Sequence, residues 1–204
     1  RPPRSTLFPY TTLFRSCCLL IDGQPYLGAT GATGTFASQV MERTCPHCGA
    51  REHRSLEHQA SGAGIVARYK ARSGRPCQRA EDVLAAGHNG DATATDILDS
   101  AAADLGAALG QLVNVLDPER VILGGGLGLA GGTFARRLEA AMRHHIWAAH
   151  RRNLPLVRAQ LGVDAGILGA AATSWLQHPA VALPNPPLRS PSPPLRPRTP
   201  DPSR

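Results

Sequence analysis

Hydrophobic and polar positions follow one another along this chain in patterns that predict short strands and longer helices. Apolar residues recur every three or four positions between Asp91 and Asp117, which predicts an amphipathic helix of about six or seven turns that Pro118 ends. Residues 121–123 form a short, continuous apolar run, as expected for a strand buried on both faces. A second helical pattern begins near Thr133. The order helix, strand, helix predicts an α/β fold.

Weaker patterns predict the remaining elements. Residues 17–28 indicate two strands joined at Asp22-Gly23, and Cys17 and Cys18 at their start resemble small buried hydrophobic residues. The other expected elements are a third strand over 36–41, a helix over 56–72, a broken polar segment over 74–90, a strand over 156–161 and an alanine-rich helix that ends at Trp175.

Both ends of the chain differ in composition from the body, which predicts boundaries between 1–16, 17–177 and 178–204. Residues 6–16 resemble the translation of a sequencing-library adapter, so we expect 1–16 to be either artefactual or a disordered N-terminus. Residues 178–204 are rich in Pro and Arg and cannot bury a core. This composition favours a disordered tail over a docking segment.

Charge and cysteine content narrow the classes of function. Of the formal net charge of +7, three charges lie in 1–16 and three in 178–204, so residues 17–177 carry +1. A nearly neutral body lacks the basic surface of a nucleic-acid-binding protein, and no apolar run reaches the length of a membrane span. Five cysteines without a disulfide framework favour a reducing, cytoplasmic location.

The candidate ligand site is the glycine-rich turn after the apolar run at 121–123. Gly124, Gly125 and Gly126 follow the predicted strand at once. Glycines at the carboxyl end of such a strand let a ligand approach the backbone closely, and the next helix start offers free N–H groups. The spacing fits neither the dinucleotide fingerprint nor the P-loop. These residues alone therefore leave two interpretations open, a nucleotide site and a tight turn in an α/β core.

Four segments, in order, resemble the ROK family of bacterial sugar kinases and sugar-responsive repressors. They read IDGQPYLGATGATG, CGAREHRSLEHQASGAGI, LVNVLDPERVILGGGLGLAG and LGVDAGILGAA. The resemblance implies a ribonuclease-H-like lobe of the actin-like ATPase and sugar-kinase fold. It also implies a glucokinase-like parent reaction, in which ATP with Mg²⁺ phosphorylates a hexose. The implied partners are the hexose, an adenine nucleotide and further copies of the chain.

The resemblance assigns site residues one by one. Gly124, Gly125 and Gly126 match the family's adenosine contact. Glu57 matches a glutamate that binds sugar hydroxyls, although a solvated charge at a helix start is the alternative. The family's E-x-G-H sugar element is replaced here by residues 35–38, which read TFAS.

The loop at 44–55 resembles the family's zinc loop with two ligands replaced, since Ser38 and Ser55 stand where the family has a histidine and a cysteine. A Cys-x2-Cys pair followed by a histidine has the spacing and ligand types of a zinc site. The alternative is a loop that has lost its metal. The candidate ligands are Cys45, Cys48 and His53, with His58 or His47 as the fourth.

The departures from the family predict a truncated member without catalytic residues. The family's first phosphate loop, catalytic aspartate and second phosphate loop have no counterpart in the 204 residues. Phosphoryl transfer depends on groups that position the phosphates and the nucleophile, so we expect no turnover from this chain. The alternative is the effector domain of a sugar-responsive repressor, which the altered E-x-G-H element favours. We expect no nucleic-acid contact from this part of either protein.

Overall fold

The computed structural model describes residues 17–44 and 49–177. The predictions for 1–16 and 178–204 lie outside the described residues. By compactness the chain divides into a unit that ends at Val163 and a unit that begins at Asp164. In the described part of the second unit, helix α7 (Ala165–Gln177) confirms the predicted alanine-rich helix.

The first unit is built around one long helix, α4 (Ala92–Leu116). Asp91 caps its start, because one carboxylate oxygen accepts the backbone N–H of Ala94 at 3.0 Å. The helix ends at Asp117, which adopts the left-handed region with φ of +43°. Both boundaries confirm the sequence prediction.

Four helices pack around α4. They are α1 (Leu56–Ala60), α2 (Gly62–Ser73), α3 (Ala80–His88) and α6 (Gly132–His145). The contact between α4 and α6 is closest at Gly106, where an added Cβ would lie 2.3 Å from the Leu138 carbonyl oxygen. The largest fully buried side chains are Leu56, Ile65, Val83, Ile97, Leu138, Met142 and Ile146. The helices therefore supply most of the core.

The strands of the described residues form three two-stranded sheets. Strands β1 (Leu20–Ile21) and β2 (Gln24–Pro25) form an antiparallel hairpin, as do β3 (Val40–Thr44) and β4 (Arg51–Ser55). Strands β5 (Val121–Leu123) and β6 (Leu156–Arg158) pair in parallel, with Val121 opposite Leu156. The parallel pair places the end of β5 next to the end of β6, which positions the glycine-rich turn.

One local prediction was wrong and another was right except for one break, because side-chain hydrogen bonds decide the backbone at both places. The expected strand over 36–41 begins with a 3-10 turn at Phe36–Ser38, where the Ser38 hydroxyl donates to the Thr35 carbonyl at 2.6 Å. The expected helix over 56–72 breaks at Ser61, which has extended ψ and accepts the Gly64 N–H on its hydroxyl at 2.9 Å. Ser and Thr hydroxyls compete with regular structure in this way.

The segment over 74–90, predicted to be broken and polar, contains helix α3. Its start is held by Asp82, whose carboxylate accepts the backbone N–H groups of Gln78 (3.2 Å) and Arg79 (3.0 Å). The helix buries Val83 completely. The helix has nine residues and begins after Arg79 instead of a usual capping residue, so its local signal is short, and tertiary packing defines it.

Two burial predictions were also wrong. Strand β5 was expected to be buried on both faces, but Ile122 is 55% exposed because β5 packs only Val121 and Leu123 toward the core. Cys17 is half-buried and Cys18 is exposed, since no described element covers the short β1–β2 hairpin. Among the described helices, none combines the length and the apolar character needed to cross a bilayer.

Candidate functional site

The glycine-rich turn lies at the carboxyl end of β5, as the sequence predicted. The Leu123 carbonyl accepts the Ala159 N–H at 2.8 Å, which fixes the end of the strand beside β6. Gly124 continues in extended geometry, and Gly125 turns into the left-handed region with φ of +75°. The next residues form a short helix, α5 (Gly125–Leu129), before α6 begins at Gly132. The glycine-rich turn therefore leads directly into helix α5.

The three glycines meet their surroundings differently. A Cβ on Gly125 would meet nothing within 4 Å, whereas one on Gly124 would lie 3.6 Å from the Ala159 Cβ. A Cβ on Gly126 would lie 3.8 Å from an oxygen of the Glu81 carboxylate. The backbone at Gly125 therefore faces open space, and Gly126 faces helix α3.

A cavity of about 260 Å³ lies between α3 and α5. Its walls are mostly apolar and include one carboxylate. The lining residues are Ala80, Glu81, Leu84, Gly126, Leu127 and Ala130. Sites for whole drug-sized ligands start at about 300 Å³, so this cavity has the size for part of a ligand, such as a heterocyclic ring.

Glu81 is the charged group of this cavity. A hydrogen bond from its own backbone N–H, and then one from the Arg79 side chain, hold the pKa of Glu81 below its usual range. The Arg79 Nε lies 3.3 Å from the carboxylate. The side chain is therefore an anion at neutral pH and offers only hydrogen-bond acceptors.

The candidate sugar residue Glu57 lies in the first turn of α1, which the Ser55 hydroxyl caps by accepting the His58 N–H at 3.2 Å. Glu57 is half-buried, and its Oε1 is shielded from solvent without a hydrogen-bond partner among the described residues. A buried carboxylate oxygen without a donor is costly, and a ligand hydroxyl is a suitable donor.

Residues 35–38, which match the altered E-x-G-H element, lie next to α1. The link is a hydrogen bond from the Leu56 N–H to the Gln39 carbonyl at 2.9 Å. Ala37 is buried, and the Ser38 hydroxyl donates to the Thr35 carbonyl. The structure thus places this segment next to the helix that carries Glu57. The Ser38 hydroxyl donates its proton within the segment, to the Thr35 carbonyl, and not toward Glu57.

The candidate metal ligands are only partly described. Cys45, Cys48 and His47 lie outside the described residues. His53 is exposed on β4, opposite Glu42 on β3. The Nε2 of His58 lies 2.6 Å from the Arg54 guanidinium, a cation that would repel a metal ion at this nitrogen. Within 17–44 and 49–177, no group of three or more His, Cys, Asp or Glu side chains is placed to hold a metal ion.

The sequence patterns did not indicate Glu81 as a site residue, because they did not predict α3. The available signal was the acidic pair Glu81-Asp82 at a helix start, followed by the apolar pair Val83-Leu84. Nothing in the sequence pairs Glu81 with Gly126, which lies 45 positions further along the chain. Only the tertiary structure, which places α5 near α3, brings the two together.

Comparison with known protein families matches residues 17–177 to the ROK family. The bifunctional enzyme NanE/NanK of Brucella melitensis biotype 1 is 35% identical over 153 residues, which cover 75% of this chain and 27% of that protein.

Solved structures show the same relationship. A ROK hexokinase from Thermus thermophilus superposes with a TM-score of 0.67 at 29% identity, covering 81% of this chain and 55% of that one. A ROK family transcriptional regulator, a homologue of the E. coli MLC protein, superposes with a TM-score of 0.58 at 27% identity, covering 70% and 38%. The chain thus spans between 27% and 55% of the length of these three relatives. It belongs to the ROK family and has the α/β fold of one lobe of the actin-like ATPase and sugar-kinase class.

Proposed function

We propose that this chain is the nucleotide-binding lobe of a glucokinase-like ROK protein whose intact form phosphorylates a hexose with ATP and Mg²⁺. The observation that carries the proposal is the cavity between α3 and α5, with the bare backbone of the glycine-rich turn on one side. Glycines at the carboxyl end of a parallel strand suit close approach of a nucleotide to the backbone. The ROK kinases similar to this chain support the parent reaction.

The proposal assigns the adenosine part of ATP to Gly124–Gly126 and the sugar to Glu57. In this assignment a sugar hydroxyl donates to the shielded Glu57 Oε1, which has no other donor among the described residues. The nucleotide lies with its base in the α3–α5 cavity. The free thiols of Cys17, Cys18 and Cys77 support a cytoplasmic location for this activity. Association with further copies of the chain stays a prediction.

Two glycine variants test the nucleotide site. Gly126 lines the cavity and has no positive φ, so Gly126→Val places carbon atoms in the site without backbone strain. We expect it to abolish ADP binding, measured by two-dimensional NMR titration at millimolar ADP, and to leave the thermal midpoint within about 2 °C. Residual affinity is expected to be weak, because the groups that hold phosphates have no counterpart in this sequence.

Gly74→Ala, at the end of α2 and outside the cavity, is the matched control. Its Cβ meets nothing within 4 Å, but φ of +67° makes any side chain costly there, by about 1 kcal/mol. This control should lower the thermal midpoint and leave ADP binding as in the wild type. Absence of ADP binding in the wild type, or wild-type affinity in Gly126→Val, would show that the nucleotide does not bind at this turn.

For the metal loop we propose zinc held by Cys45, Cys48 and His53, with His58 or His47 as the fourth ligand; the Arg54 contact at the His58 Nε2 favours His47. Such a metal would fix the loop between β3 and β4. Metal analysis after dialysis should find about one zinc per chain in the wild type and in His58→Gln. The double variant Cys45→Ser/Cys48→Ser should lose the metal, and a metal-free wild type would retire the proposal.

The second candidate function is the effector domain of a sugar-responsive repressor. The observation in its favour is the altered segment 35–38, where Ala37 is buried and the Ser38 hydroxyl is used locally. A repressor lobe needs to bind sugar but not ATP. Titration with a hexose panel in the presence and absence of ADP separates the two functions, because only a kinase lobe should bind both ligands.

A further inference from the structure

Among the residues that the structure describes, Glu81 is the one charged side chain that lines the α3–α5 cavity, and the proposed nucleotide site gives it no role so far. The remaining lining consists of Ala80, Leu84, Leu127, Ala130 and the backbone of Gly126. Apolar walls attract the faces of a ring but do not distinguish one heterocycle from another. A single carboxylate at the wall can make that distinction, because it accepts hydrogen bonds and donates none.

The position of Glu81 is fixed by its neighbours. Its carboxylate accepts from the Arg79 Nε at 3.3 Å, and one oxygen lies 3.8 Å from where the Cβ of Gly126 would be. The carboxylate therefore lies against the glycine-rich turn although its side chain is 59% exposed. A hydrogen bond from its own backbone N–H, and then the one from the Arg79 side chain, keep the pKa of Glu81 below its usual range, so it is ionised whenever a nucleotide would bind.

We propose that Glu81 selects the base: it accepts a hydrogen bond from the 6-amino group of a purine and disfavours a 6-oxo purine. The sugar of a nucleotide is attached to the five-membered ring, so the six-membered ring and its exocyclic group are free to reach the cavity wall. A 6-amino group presents a donor to the carboxylate. A 6-oxo group in the same position presents a second acceptor, so the ring would have to shift to bring its N1–H to the carboxylate instead. This inference rests on the proposed nucleotide site and adds a specificity-determining residue to it.

Glu81 also has an ordinary structural role that must be separated from base selection. It lies in the first turn of α3, where an acidic side chain stabilises the helix through its dipole. Loss of that role would change the stability of the protein and would weaken all nucleotides equally. The ratio of affinities for two nucleotides that differ only at the base edge is insensitive to it.

The test uses the full chain and two ligands, ADP and inosine diphosphate, which carries a 6-oxo group in place of the 6-amino group. Both are titrated by two-dimensional NMR against the wild type, Glu81→Gln and Glu119→Gln. Glu119 is an exposed carboxylate outside the cavity, so its variant makes the same chemical change elsewhere. The wild type and Glu119→Gln should bind ADP at least about threefold more tightly than inosine diphosphate, as expected for one charge-assisted hydrogen bond reduced by solvent.

Glu81→Gln should bring this ratio close to one, because an amide can accept from an amino group and donate to an oxo group. Glu81→Ala, which removes the acceptor altogether, provides a second variant and should also lose the preference for ADP. A preference that survives in both variants, or a wild type that binds the two nucleotides equally, would overturn the inference while leaving the nucleotide site in place. A wild type that binds neither nucleotide would overturn the proposed function, and this inference with it.

Discussion

At the scale of single residues, Asp91 links the start of α4 to Tyr69 on α2 and to Arg75 in the segment after α2. One carboxylate oxygen accepts the backbone N–H of Ala94 and so caps α4. The other accepts the Tyr69 hydroxyl at 2.8 Å and the Arg75 guanidinium at 2.7 Å. These donors, the Ala94 N–H first among them, hold the pKa of Asp91 below its usual range. A depressed pKa in the folded protein means that the ionised form contributes stability above the unfolded pKa and loses it as the pH falls through the folded pKa.

We therefore expect Asp91→Asn to reduce the acid sensitivity of the protein. The amide oxygen still caps α4 but cannot be protonated in this range, so the fall in thermal midpoint below about pH 4 should be shallower than in the wild type. Thermal melts between pH 7 and pH 2.5 measure this slope. Some slope should remain, because Asp82 and Glu81 also have lowered pKa values. Asp96→Asn, at an exposed carboxylate paired with Arg72, is the control, and an identical slope in all three proteins would contradict the prediction.

At the scale of elements, the contact between α4 and α6 depends on small residues. Gly106 and Gly110 lie one turn apart on α4, and a Cβ on either would lie within 3 Å of backbone or Cβ atoms of α6. Glycine has a low helix propensity and therefore destabilises a long helix. Its presence at these positions indicates that close packing against α6 stabilises the protein by more than the low propensity destabilises it. This close contact fixes the position of α6 against α4. It therefore also fixes where the chain leaves the glycine-rich turn and α5.

Gly106→Ala should destabilise the protein by about 1–3 kcal/mol, because the methyl group would lie 2.3 Å from the Leu138 carbonyl oxygen and the helices would have to separate. Chemical denaturation measures the change. Gly62→Ala is the matched control: its Cβ would lie 3.6 Å from the Ala80 Cβ, an ordinary contact, so it should be neutral or slightly stabilising. Equal midpoints for wild type and Gly106→Ala would show that the two helices are not closely packed in solution.

At the scale of the whole molecule, the proposed nucleotide and sugar sites are built from apolar side chains and carboxylates. The cavity offers apolar walls and a carboxylate, and Glu57 offers an acceptor. Transfer requires groups that neutralise and align the phosphates and one that orients the attacking hydroxyl. An acidic cavity does none of this, since carboxylates repel phosphate oxygens.

We therefore expect the 204-residue chain to show no ATP-dependent phosphorylation of hexoses. A coupled assay across a hexose panel, with ADP formation as the readout, checks this. Addition of a trace of an active hexokinase to the same mixture is the control for inhibitors and for the coupling enzymes. Turnover by the purified chain clearly above a heat-inactivated sample would contradict the prediction.

The sequence by itself determined the elements whose signals are local. The 3.6-residue period with Asp91 at one end and Asp117-Pro118 at the other defined α4, because capping and chain termination act within a few residues. The apolar run at 121–123 and the glycines that follow it placed the candidate nucleotide site at the end of β5. The family resemblance supplied the fold and the ROK assignment, both of which the comparisons confirmed.

Only the tertiary structure decided where these elements meet. Helix α3 has only nine residues and begins after Arg79, so its local signal is short, and its stability depends on Asp82 and on the burial of Val83. The exposure of Ile122 depends in the same way on which elements cover the sheet. The pairing of Glu81 with Gly126 is likewise a contact between distant parts of the chain. A sequence pattern reports the preferences of neighbouring residues, whereas a site between two helices depends on how those helices pack.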